Sequence, residues 1–183
     1  MNLVTGNFSE GDWIVYPRHG LGKTLGFEKQ VLSEAEVKFI IVYFENEKMT
    51  LRIPVTKIHE LGLRAVSAEA DMKTALAALR GKIKIKRTMW AKREKDYKDK
   101  LNKGDLVSIA EVIRDLYRGE DDPEQSYSER QLYEKALNRF TRELVVIKNI
   151  DSSEAEKKVE ENLKILCKTC VYIIWDLIKE CGL

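Results

Sequence analysis

Apolar positions follow two different rhythms along the chain. Up to about residue 64 they come in short runs: "DWIVYP", then, beyond the turn-rich "RHGLGK", "VKFIIVYFE" and "KMTLRIPV" around a central "NEK". Runs rich in β-branched and aromatic residues, bounded by Gly, Pro and Asn, predict strands. Val37, Ile41 and Tyr43 fit an alternating face only in part, so this third run reads as buried on both sides. Pro17 and Pro54 mark strand ends, because proline cannot donate a ladder hydrogen bond. A small, strongly bent antiparallel sheet or half-open barrel is expected, with little room for a deep pocket.

From Ser67 onward the period becomes helical. "SAEADMKTALAALRG" predicts a helix with Ser67 as N-cap and Gly81 as a left-handed stop. A second helix is expected over "TMWAKREKDYKDKLNKG", ending at Gly104. Asp105 should cap a third, whose Leu106, Ile109, Ala110, Ile113 and Leu116 or Tyr117 form an apolar stripe at three- and four-residue spacing. After "EDDPEQ", Ser126 and Glu129 have capping-box spacing, and Tyr133, Leu137, Phe140, Leu144 and Ile147 continue one face. A last helix is expected from Ser153, with a box to Glu156. A compact bundle is the simplest way to bury these stripes. The fold class is therefore α+β, with a small N-terminal antiparallel domain over residues 1–64, an all-helical bundle over 65–150 and an additional helical tail over 151–183.

Charge changes this picture only when it is counted by region. The chain of 183 residues carries a net charge of +2. Residues 1–64 hold eight basic and eight acidic side chains, residues 65–118 fourteen and eight, and residues 119–183 ten and fourteen. The middle segment, at +6 by that count, is where a polyanion would bind. A solvated lysine-rich helix face is the plainer explanation of the same count.

Several classes of function find no support. "MNLVTGNFSEGDWIVY" lacks the basic and apolar blocks of a secretory signal. The apolar run "CVYIIWDLI" is too short to cross a bilayer, which needs ~20 residues. A soluble cytoplasmic protein with no membrane partner is expected. Cys167, Cys170 and Cys181 cluster at the C-terminus, and "CKTC" has the spacing of half a zinc or redox site. A tetrahedral site needs four ligands and no second pair stands nearby, so structural thiols and no metal are expected.

Catalytic groups are equally sparse. With His19 in a turn and His59 beside Glu60, neither a Ser-His-Asp arrangement nor HExxH is available. The glycines of "HGLGKTLG" do not make GxxxxGK[ST] and read as turn formers. Trp13, Tyr16, Phe39 and Tyr43 invite comparison with a methyl-lysine cage, but at strand spacing they read as core. A non-enzymatic binding protein without a cofactor is left.

Two motif sets then point to a family. "FSEGDWIVYPRHGLGK" with "MTLRIPV" resembles the N-terminal domain of the CarD/CdnL family of bacterial RNA-polymerase-binding transcription regulators, a domain shared with transcription-repair coupling factor. "RTMWAKREKDYKDKLNKGDLVSIAEVIRDLYR" is similar to the family's helical domain, and the resemblance runs from Phe8 to about Ile147. It implies a Tudor-like sheet domain that docks on the lobe of the polymerase β subunit, and a helical domain that touches promoter DNA, without reading its sequence, at the upstream edge of the melted bubble. Carried over by position, Arg52 matches the polymerase-contacting arginine, with Thr50, Leu51 and Ile53 around it. Gln30 falls where some relatives have a second basic contact. Trp90 matches a wedge tryptophan, with Arg87, Lys92, Arg93 and Lys95 as its DNA-contacting neighbours. The resemblance does not reach the tail, whose apolar patch is a candidate for self-association.

The residues themselves leave Trp90 open to two readings. Trp90, Tyr97 and Leu101 share a helical face, which suits a bundle anchor. Glu94 interrupts that face, and the surrounding cations suit a ring that enters a minor groove and unstacks a base step. Lys82 to Lys103 contains ten basic and three acidic residues. About four to six phosphate contacts from such a stretch would give a log-log salt slope of roughly −4 to −5. A protein–protein adaptor that makes no direct DNA contact is the alternative of a different class.

Overall fold

The computed structural model of the chain describes residues 8–32, 35–83, 88–119 and 124–164. These residues group into two compact units, one running up to Val66 together with Asn102–Gly104, the other containing the remainder.

The first unit is a five-stranded antiparallel sheet. Its strands are β1 (Trp13–Tyr16), β2 (Gly20–Leu32), β3 (Ala35–Phe44), β4 (Met49–Pro54) and β5 (Arg64–Ala65), in the order β4-β3-β2-β1-β5. Pro54 is the last residue of β4 and Pro17 follows β1, as the missing donor requires. β3 alternates: Ile40, Val42 and Phe44 point into a core with Ile14, Tyr16 and Ile53, while Val37, Phe39, Ile41 and Tyr43 are half-buried on the other face. The run is therefore fully buried on one face only. Both faces are apolar in sequence, which hid the alternation.

The glycines near the first turn are architectural. Gly20 has φ +83°, and a Cβ on Gly22 would lie 2.7 Å from Val42 Cγ1 and 2.8 Å from a Phe44 ring carbon. Gly26 sits at a bulge in the β2–β3 ladder with φ +152°. β1 pairs with only the first residues of β2, and β4 pairs with β3 no further than Phe39. The pairs from Lys29–Lys38 to Leu32–Ala35 thus form a ribbon of two strands without lateral neighbours.

The second unit is helical, built from α1 (Glu69–Leu79), α2 (Trp90–Lys103) up to Leu101, α3 (Leu106–Leu116), α4 (Tyr127–Lys148) and a fifth helix, α5, over 152–164. Leu106, Ile109, Ala110, Ile113 and Leu116 of α3 are all buried, as the stripe predicts. They pack with Met72, Leu79, Leu101, Phe140 and Leu144, and with Ala155, Val159 and Leu163 of α5. On α4 the most buried line runs through Leu132, Ala136, Phe140 and Leu144, leaving Tyr133, Leu137 and Ile147 half-buried beside it. Arg114 and Asp115 are buried together, Nη2 donating to Oδ1 at 2.8 Å.

Helix ends follow the predicted chemistry at some positions and not at others. Asp105 Oδ1 accepts the Ser108 N–H at 2.8 Å, and Ser126 and Glu129 close a full capping box. Ser67 is not a cap: Ala68 occupies that position, and the Ser67 N–H donates to buried Glu143 at 3.1 Å. Gly81 is not a left-handed stop, since α1 ends in Arg80 with φ −81° and Gly81 is absent from the positive-φ glycines. Gly104, at φ +75°, is the left-handed stop after α2. α5 starts before Ser153, with Asp151 accepting from the Ser153 N–H and hydroxyl. Those bonds hold the Asp151 carboxyl below its ordinary range.

Candidate functional site

The strand that carries Arg52 is an edge. β4 pairs with β3 alone, so one row of its main-chain groups is left without a strand partner within the sheet. Such a row is the template for adding a strand from another protein. Thr50 and Arg52 are exposed, Leu51 is half-buried against the sheet core and Ile53 is in it. The Ile53 side chain therefore offers nothing to a partner, and only its main chain lies at the edge. Arg52 Nε approaches Glu28 Oε2 at 3.3 Å, and Glu28 Oε1 in turn accepts from Gln30 Nε2 at 3.1 Å. The arginine head thus lies on the face lined by Phe39, Ile41 and Tyr43.

The second candidate surface is the start of α2. Trp90 is the first helical residue and is half-buried against the helical core. Its ring centroid lies 6.4 Å from that of Tyr97, whose phenol is pushed up by burial and then by Asp115. The Arg93 guanidinium carbon sits over the Trp90 ring, 5.4 Å from its centroid. The neighbouring Met89 is 84% exposed. Trp90 is thus at once anchor and surface group: one side packs inward and the helix start faces water.

The basic neighbours divide into two kinds. Lys92 and Lys95 are exposed and make no ion pair among the described residues. Arg93 is turned inward, its side chain only 20% exposed, with Nη2 3.8 Å from Glu129 Oε1. Lys98 pairs with Glu94 at 2.7 Å and Lys100 with Glu111 at 2.6 Å, so these cations are partly neutralised. Arg87 lies outside the described residues, as do Cys167, Cys170, Cys181 and the apolar tail segment.

Comparison with known proteins decides what carries these two surfaces. Residues 8–67 match the family model of the CarD-like/TRCF RID domain, and residues 74–160 match that of the CarD C-terminal domain. The chain belongs to the CarD/CdnL family. It is 29% identical over 147 residues to a Bacillus subtilis (strain 168) protein described as "Putative transcription factor YdeB", covering 80% of this chain and 96% of that one. As a CarD-like chain it is a transcription regulator. The helical match extends to residue 160, beyond Ile147 where the sequence resemblance stops, and so takes in most of α5.

Sequence reasoning missed three participants in this CarD-like architecture. Glu28 and Glu129 carry no motif of their own for a partner to Arg52 or Arg93, because those pairs are set by sheet register and helix packing. Met89 did carry a signal, an apolar residue directly before the tryptophan in a basic stretch. No group of three His, Cys, Asp or Glu suited to a metal exists among the described residues. No helix among them is long and apolar enough to span a membrane.

Proposed function

We propose that this CarD-like regulator binds the lobe of the RNA polymerase β subunit through the β4 edge and stabilises the promoter open complex through the start of α2. Thr50 and Arg52 supply the side-chain contacts at the edge, and the main chain of Leu51 and Ile53 supplies ladder hydrogen bonds. The planar arginine, already aligned by Glu28, can exchange that partner for a carboxylate on the lobe. Lys92, Lys95 and Arg87 hold phosphates, which position the helix without specifying sequence.

The observation that carries this reading is the composition of the α2 start. An aromatic ring and an exposed methionine stand beside two exposed lysines, Lys92 and Lys95. Stacking of an unpaired base on an aromatic ring is worth ~1–3 kcal/mol. If the ring meets the base only after the fork has opened, that energy shifts the closed-to-open equilibrium about five- to a hundredfold. DNA affinity of the α2 surface alone would be modest, and the sheet's grip on polymerase raises its local concentration.

The test is Trp90→Ala in an open-complex lifetime assay with full-length protein and polymerase. Binding to the isolated β lobe should stay intact while the gain in lifetime is lost. An undiminished lifetime would transfer support to the adaptor reading, in which the helical unit binds protein and makes no direct DNA contact.

A further inference from the structure

Arg93 occupies a position where the family resemblance implies a DNA-backbone contact, but its surroundings are those of a different role. A phosphate-binding arginine presents its guanidinium fork to solvent. Here Nε is buried without a hydrogen-bond partner among the described residues, and the guanidinium lies over the Trp90 ring. Arg93 lies three positions after Trp90, which puts both on one face of α2. Nη2 of the same guanidinium lies 3.8 Å from Oε1 of Glu129, itself only 15% exposed.

Glu129 is fixed independently of Arg93. It is the third residue of α4, and its Oε2 accepts from both the Ser126 N–H and the Ser126 hydroxyl at 3.0 Å. That leaves Oε1 directed at Arg93. Ser126, Glu129, Arg93 and Trp90 therefore form a chain from the first turn of α4 to the first turn of α2. Its terminal link places a cation over the indole of a ring that also packs against the helical core.

We infer that Arg93 is a positioning residue, which holds the Trp90 ring in the orientation offered to an unpaired base, and that Glu129 holds Arg93 in place. This rests on the reading of Trp90 as the group that meets the fork. Lys92 and Lys95, which are exposed and in no ion pair among the described residues, carry the phosphate contacts.

A phosphate contact and a ring clamp differ in what salt does to them. The experiment uses the full chain and a forked DNA duplex with a fluorescent adenine analogue beside the junction. Arg93→Gln should leave the slope of log affinity against log salt unchanged and weaken quenching of the analogue in the bound complex by about threefold or more. Lys92→Gln should do the reverse, reducing the slope by about 0.9 and leaving quenching per bound complex intact. Arg93→Lys keeps the charge but not the flat fork, so it should lose quenching as Arg93→Gln does. Glu129→Gln keeps an acceptor for Ser126 and should lose part of the quenching. It supplies the answer if the Arg93 variants fail to fold, as judged by thermal melting.

The clamp is overturned if Arg93→Gln lowers the slope by about one unit with quenching preserved, or if Arg93→Lys quenches fully. Trp90→Ala separates this failure from that of the broader reading. Unchanged quenching in Trp90→Ala would remove the ring from the fork altogether, and the clamp with it.

Discussion

Arg52 and Glu28 meet across β3, Nε to Oε2 at 3.3 Å, although the strands that carry them are not neighbours. The register explains the reach. Arg52 lies opposite Ile41 and Glu28 lies opposite Phe39, two residues earlier on β3, so both side chains rise on the same face of the sheet. The arginine side chain is 62% exposed, so the pair contributes about 0–1 kcal/mol to stability. Its consequence is orientation of the arginine head at the sheet edge.

Arg52→Glu should therefore leave the thermal midpoint of the protein nearly unchanged. Binding to isolated β lobe should fall at least tenfold, about 1.4 kcal/mol, because a carboxylate at the edge opposes the same partner and now faces Glu28 as well. Titration of the lobe with the variant measures this, and full binding would remove the edge assignment.

Lys92→Ala and Lys95→Ala should each lower DNA affinity without altering fold stability, since both side chains are exposed and neither is in an ion pair among the described residues. Each loss should make the salt slope shallower by about 0.9, the signature of one phosphate contact. Lys100→Ala should change the slope less, because its ammonium already faces Glu111 at 2.6 Å.

Met89→Ala removes an apolar group that is 84% exposed in the free protein, so unfolding free energy should move by less than about 0.5 kcal/mol. Affinity for a forked duplex should drop about two- to fivefold, because an apolar side chain beside a wedge gains burial only against bases. Equal affinity for fork and fully paired duplex in both proteins would show that Met89 stays in solvent.

The sheet and the bundle were both legible from the chain because their period switches cleanly near Ser67. α3 was the easiest element, with a capped start and five stripe residues that are all buried. Local rules failed where tertiary geometry intervened. Ser67 gives its backbone N–H to Glu143, seventy-six residues away in sequence, and the helix starts one residue later, with Ala68 at the cap position. The α2 start was legible as a ring among cations, but its division into an inward-turned Arg93 and exposed Lys92 and Lys95 was not. That division depends on where α4 begins relative to α2, which spacing within α2 does not encode.

Tyr133 provides a pH test of the helical core. Burial, then Tyr117 and Glu160, push its phenol up to about 12 from an ordinary value near 10. Between those limits the unfolded chain loses the proton and the folded one keeps it, so stability is fully present below about pH 10 and is lost as pH rises towards about 12. The loss should reach up to about 3 kcal/mol, and Tyr133→Phe should remove that part of the pH dependence. Denaturant unfolding at a series of alkaline pH values measures it.

The free ribbon of β2 and β3 gives the sheet a gradient in time. Two strands alone are marginal in water. Amides near the Val31–Glu36 pair should therefore exchange with deuterium long before those of Val42, which has β2 on one side and β4 on the other. Opening can begin at the ribbon tip and travel inward along the ladder until it reaches Phe39 and Pro54, the first row where a third strand takes hold. The edge strand with Arg52 thus sits behind a fraying boundary and can keep its shape while the ribbon beyond it breathes.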